Sequence, residues 1–125
     1  MMKYGFDDKA WEAAKEEMRK ILIQRARLRG MIPYSDLVGQ ISAIAIEAHD
    51  QRLFQLLGEV STEEYAEGRG MLTVIVVHKR GDMQPGPGFF DLAKKLGKDT
   101  SDILACWIKE LKVVHAYWSN QRAST

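Results

Sequence analysis

One cysteine, Cys106, is all that the 125 residues contain, so neither an intramolecular disulfide framework nor a cysteine-based zinc finger can be built. No apolar run approaches the roughly 18 residues of a membrane span and no signal-peptide pattern opens the chain, so a cytoplasmic protein with no membrane partner is expected. Neither sign of charge dominates. Eighteen basic residues against seventeen acidic ones leave +1, which excludes a histone-like polycation and an acidic solvating tail. There is no Walker motif, no G-x-G-x-x-G, no internal repeat and no low-complexity stretch. His49, His78 and His115 are scattered, and neither a metal nor a cofactor is expected.

What remains is an ordinary globular composition, 46% apolar and 28% charged. At this length one domain, 1–125, buries roughly two-thirds of the unfolded surface without a staple. Charge is unevenly spread along it. Residues 1–30 hold eight basic and five acidic groups, residues 31–70 two and seven, and residues 71–125 eight and five. An acidic middle between basic flanks bears on any partner, because surface potential steers encounter.

Residues 8–29 read as a long helix with Trp11, Ala14, Met18, Ile21, Leu22 and Leu28 mostly on one face. Asp7 or Asp8 caps its start, Glu16 and Lys20 form an i,i+4 pair, and Gly30 supplies a left-handed stop. Met31-Ile32 is a very short strand closed by Pro33. Ser35 caps a second helix running to about Ser42, and 43–47 reads equally as helical tail or link. Asp50 caps a short helix ended by Gly58, and Ser61-Thr62-Glu63-Glu64 fits a capping box opening another that ends near Gly68. Met71 to Val77 is the one clear strand, β-branched and apolar enough for burial on both faces. Gly81 to Gly88 is an irregular loop, Phe89 to Leu96 a helix closed by Gly97. The last helix runs from Asp99 or Ser101 to about Trp118, with Ile103, Leu104, Trp107, Leu111, Val114 and Trp118 as its apolar stripe. The class is α+β, mostly helical. The order suggests a winged-helix-like core at about 30–97, flanked by helices 8–29 and 101–118 and holding a small sheet.

Met31-Ile32-Pro33-Tyr34-Ser35-Asp36-Leu37-Val38-Gly39-Gln40-Ile41 resembles the start of the DNA-binding domain in alkylguanine-DNA alkyltransferases and alkyltransferase-like proteins. There a Tyr opens the first helix of a helix-turn-helix. Asp50 to Gly58 is similar in type to that family's recognition helix, which carries an arginine finger. Val76-Val77-His78-Lys79 followed by Gly81-Asp82 resembles the Pro-Cys-His-Arg stretch and its glycine turn. Pro85-Gly86-Pro87-Gly88 and helix 89–96 fall where the family has a glycine-rich wing and a helix. The departures are specific. Val77 stands where the nucleophilic cysteine belongs, Cys106 lies outside the motif, and the acidic stretch 61–70 lengthens the interval. The resemblance therefore implies DNA binding without alkyl transfer. The His78-Lys79 and Pro-Gly-Pro-Gly pattern is also similar to that of a small bacterial family to which no activity attaches.

Candidate contacts to nucleic acid are Tyr34, Gln51, Arg52, Gln55, His78, Lys79 and Arg80. Tyr34 either stacks on a nucleotide, as the resemblance implies, or packs on the core as a helix-start aromatic. Arg52 either contacts phosphate or pairs with Glu47 or Asp50. Gln51 and Gln55 read base edges or are simply solvated. His78-Lys79-Arg80 is a wing-like turn beside a phosphate backbone or a solvated turn after a buried strand. No catalytic residue is expected. A carboxylate-and-lysine nuclease core, with Glu63, Glu64 and Glu67 before Lys79, fails because its required acid falls at Val77. Two functions stand: a non-enzymatic binder of duplex DNA, and a protein-interaction or regulatory module on the same fold, either of them open to homo-oligomerisation.

Overall fold

Residues 2–7 fold back as a miniature hairpin, β1 (Met2–Lys3) antiparallel to β2 (Phe6–Asp7). Tyr4 and Gly5, at φ 54° and 84°, supply the two left-handed residues such a tight turn requires. The computed structural model describes residues 2–79 and 84–121.

Helix α1 (Asp8–Arg27) starts at Asp7, whose carboxylate accepts from the amides of Lys9 and Ala10 at 3.2 and 3.4 Å. Trp11, Ala14, Met18 and Leu22 are fully buried along one side, as the periodicity predicts. Its end differs from expectation. The left-handed residue is Arg29 at φ 55°, and Gly30 is needed for space instead, since a Cβ there would lie 2.9 Å from Arg25 Cδ. The Gly30 amide donates to the Arg25 carbonyl, so the helix closes two residues before the expected 29 and leaves Leu28 71% exposed. Glu16 pairs with Arg19 rather than with Lys20.

Strand β3 (Ile32–Pro33) leads directly into α2 (Tyr34–Gly39), which has no side-chain cap, so Ser35 does not cap it. It stops before Ser42 because Glu17 of α1 captures that backbone. The Glu17 carboxylate accepts from the amides of Ser42 and Ala43 at 3.0 and 2.7 Å, and from the Ser42 hydroxyl at 2.7 Å.

The two short helices expected from Asp50 to Gly68 are one, α3 (Gln51–Ala66), capped by Asp50. Gly58 sits in its interior. Ser61 is fully buried and its hydroxyl meets Thr73, so the apparent capping box is a tertiary contact. The expected strand at 71–77 is a 3-10 turn, Leu72–Ile75, followed by the two-residue β4 (Val76–Val77). The run is buried throughout, as its apolar character predicts, and Val77 lies in a strand at 1% exposure. Only a two-residue partner is available, because β4 pairs in parallel with β3: Ile32 opposite Val76, Pro33 opposite Val77.

Helix α4 (Pro87–Lys95) begins on a proline and ends at Gly97, φ 86°. Helix α5 (Ile103–Gln121) starts where Asp102 accepts from the Ala105 amide at 3.1 Å. Its buried side is rotated from the expected stripe, to Cys106, Glu110, Val114, His115 and Trp118. Ile103 and Leu104 are 51% and 46% exposed, while Trp107 and Leu111 are half-buried. Polar anchors cause the rotation. Glu110 accepts from the Met71 amide at 2.7 Å, and Trp107 Nε1 donates to the Val74 carbonyl at 3.1 Å. One apolar cluster joins residues of all five helices, an α+β arrangement that is mostly helical. Among the described residues, no helix is long and apolar enough to cross a membrane.

Candidate nucleic-acid interface

Parallel pairing of β3 with β4 decides what meets at their C-terminal ends. With Pro33 opposite Val77, the next residues of the two segments, Tyr34 and His78, emerge side by side. Their ring centroids are 5.2 Å apart at 45°. The Tyr34 hydroxyl accepts from the Gly86 amide at 2.9 Å, and the His78 amide donates to the Gln84 carbonyl at 3.0 Å. The segment entering α4 is thereby tied to both. Burial raises the Tyr34 phenol above its ordinary value, with the Gly86 hydrogen bond pulling the other way.

Around this pair lies a cleft of about 510 Å³, walled by Tyr34, Phe54, His49 and His78, with Lys79 on its rim and Pro87 at its far side. Three of the seven sequence candidates, Tyr34, His78 and Lys79, therefore converge. His78 and Lys79 are exposed, and Lys79 has no ion pair among the described residues. Such a surface offers ring faces for stacking and an unneutralised ammonium for an anion.

The other candidates fall outside this cleft, although Gln55 lines the adjoining pocket between α3 and α4. Arg52 is bound to Asp50 through Nε and Nη2, at 3.0 and 2.7 Å, and its Nη1 donates to the Tyr4 carbonyl at 3.3 Å. Its guanidinium also lies 4.3 Å from the Phe6 ring centre. Arg52 thus clamps the N-terminal hairpin to α3 and does not extend as a finger. The hydrogen bonds from Arg52 hold the Asp50 carboxyl down at about 2. Gln55 accepts from the Tyr4 hydroxyl at 3.4 Å, on the same side as Arg52. Gln51, the first residue of α3, is exposed and outside the cleft. Arg80 lies outside the described residues.

Two cleft residues, Phe54 and His49, were not singled out by sequence reasoning. Phe54 is one of several apolar residues in its helix, and only the structure shows it 43% exposed. His49 stands at the turn before α3, with Nε2 3.2 Å from the Glu47 carboxylate.

Three of the seven acids of the middle segment face a different way. At about 100° per residue, Glu59 and Glu63 lie roughly 140° and 180° around α3 from Phe54. There they meet the basic face of α1. Lys15 reaches both, at 3.1 and 2.8 Å, and Trp11 Nε1 and Lys3 add contacts to Glu59. Arg19 bridges Glu63 and Glu64, and Arg69 closes on Glu64 at 2.7 Å. Most of the negative charge of 59–67 is thus neutralised within the molecule, with Glu67 left exposed.

As for covalent chemistry, the position matching the family's nucleophile is the buried Val77. Cys106 is buried in α5, where desolvation raises its thiol above the ordinary range. Among the described residues, no three His, Cys, Asp or Glu side chains converge as metal ligands. Comparison with protein-family models, curated proteins and solved structures finds no match to the chain.

Proposed function

We propose that the protein binds nucleic acid without catalysing a reaction on it, in a cytoplasmic setting, through the cleft at Tyr34, His78 and Lys79. One observation carries this reading: the parallel register of β3 and β4 brings two rings to one open edge beside Lys79, a cation with no ion pair among the described residues. Rings give a nucleotide a stacking face, and a lysine that neutralises phosphate gains from counterion release. Pairing of Glu59, Glu63 and Glu64 with α1 supports it further, because those acids would otherwise repel a polyanion. The resemblance of Met31 to Ile41 to an alkyltransferase-like DNA-binding segment agrees in placing Tyr34 at the contact.

The test is an anisotropy titration of a fluorescein-labelled oligonucleotide at about 50 mM salt. Binding at micromolar protein is expected, weakened by Tyr34→Ala and by Lys79→Ala but little by Arg52→Lys. Absence of binding at that concentration overturns the reading. It would favour the second one, a protein-interaction module, for which the exposed Ile103, Leu104 and Ile108 of α5 speak.

A further inference from the structure

A second pocket, about 220 Å³, opens from the cleft and shares Tyr34 and Phe54 with it. It runs between α3 and α4 over Gly58, Thr73 and Phe89, and Lys95 stands on its outer rim. Gly58 is the unusual residue. It lies in the interior of α3, and its φ is not among the left-handed ones. A Cβ built there would meet nothing within 4 Å. By contrast, Gly70 is boxed in by Val114 at 3.0 Å. Glycine within a helix is destabilising relative to alanine, and nothing among the described residues requires the absence of a side chain at Gly58. What the glycine provides is a bare floor one helical turn from Phe54, whose ring stands 43% exposed.

We propose that the nucleic acid held here is single-stranded, with unpaired bases lying against Phe54 and Tyr34 over Gly58. This deepens, and rests on, the nucleic-acid reading. A recessed groove with aromatic walls takes the face of a base, which a duplex keeps covered by its neighbours. A duplex reader would instead present a projecting helix with free polar side chains, and Arg52 is already bound to Asp50, Tyr4 and Phe6. The cations fit a strand crossing the groove: Lys79 stands at one end and Lys95 at the other, neither ion-paired among the described residues. Asp91, one turn before Lys95 on the same rim, repels phosphate there and offers an acceptor to the amino edge of a base.

The experiment titrates one labelled 12-mer, single-stranded and annealed to its complement, against the wild type, Gly58→Leu, Phe54→Ala and Lys95→Gln. The single strand is expected to bind the wild type about tenfold more tightly than the duplex, since each stacked base contributes on that scale. Gly58→Leu fills the groove while improving helix propensity, so it should fold with an unlowered melting temperature and lose about tenfold in single-strand affinity. Phe54→Ala should lose a similar factor and Lys95→Gln a smaller one. Duplex binding equal to or tighter than single-strand binding, with Gly58→Leu unaffected, overturns the single-strand inference and leaves the nucleic-acid reading intact. Binding of neither form overturns both.

Discussion

The Tyr34 hydroxyl accepts a hydrogen bond from the Gly86 amide at 2.9 Å, joining the first residue of α2 to the entrance of α4. Gly86 is buried, so its amide has little access to water in exchange. Tyr34→Phe keeps the ring and deletes the acceptor. It should cost about 1–3 kcal/mol, the range for a buried donor left unsatisfied, as read from urea unfolding. It should also weaken oligonucleotide binding less than Tyr34→Ala does. An unchanged urea midpoint would show that the bond does not hold the cleft together.

Glu64 is fully buried and receives Arg19 and Arg69, each at 2.7 Å. Removing one member of such a set strands the others, and Glu64→Ala should destabilise by about 3 kcal/mol. Glu67→Ala, an exposed change one turn later, should lie within about 0.5 kcal/mol of the wild type. Equal effects from the two substitutions would contradict the arrangement of α3 against α1.

Acid should loosen the same interface. Burial alone raises the carboxyls of Glu59, Glu63 and Glu64, but hydrogen bonds from Trp11, Lys15, Arg19 and Arg69 outweigh it and leave all three below the ordinary 4.5. A carboxylate held down in the folded state contributes stability above its unfolded value and loses it as the pH falls through the lowered one. Urea midpoints should therefore change little down to about pH 5 and drop steadily below about pH 4.5. Glu63→Gln should flatten that drop. A midpoint constant down to about pH 3 would contradict the network.

Local signals were legible wherever a short segment answers to itself. Asp7 capping α1, the buried face from Trp11 to Leu22 and Gly97 closing α4 all follow from residues a few positions apart, whereas α4 opens at Pro87, two residues before the expected Phe89. Tertiary contacts overrode the rest. Ser61 carries a capping signature, yet its hydroxyl is used by Thr73, so α3 passes through it. The β-branched run at 72–77 has the composition of a strand, but Ile32-Pro33 offers only two residues of partner. In α5 the inward turn of Glu110, whose charge rather than its spacing kept it off the expected stripe, rotates the buried side. The site was legible only in part. Tyr34, His78 and Lys79, which the structure brings to one cleft, were singled out through a motif resemblance, since a parallel ladder joins segments far apart in the chain. Arg52 matched the same motif, but Asp50, two residues away, claims its guanidinium.

The rotation of α5 is itself testable. Leu104→Ser should change stability by no more than about 0.5 kcal/mol, because Leu104 is 46% exposed. Val114→Ala, at a position with no exposure, should cost about 1–3 kcal/mol. The reverse order in thermal melts would restore the stripe expected from sequence.

The most direct measurement is the salt dependence of oligonucleotide affinity for the wild type and for Lys79→Gln. If Lys79 contacts phosphate, log K for the wild type falls linearly with log salt, and the variant's slope is shallower by about 0.7 for a single strand or 0.9 for a duplex. The net charge of +1 makes this decisive, since diffuse basicity cannot produce the effect. A wild-type affinity that does not respond to salt, or identical slopes for the two proteins, would contradict phosphate binding at this cleft.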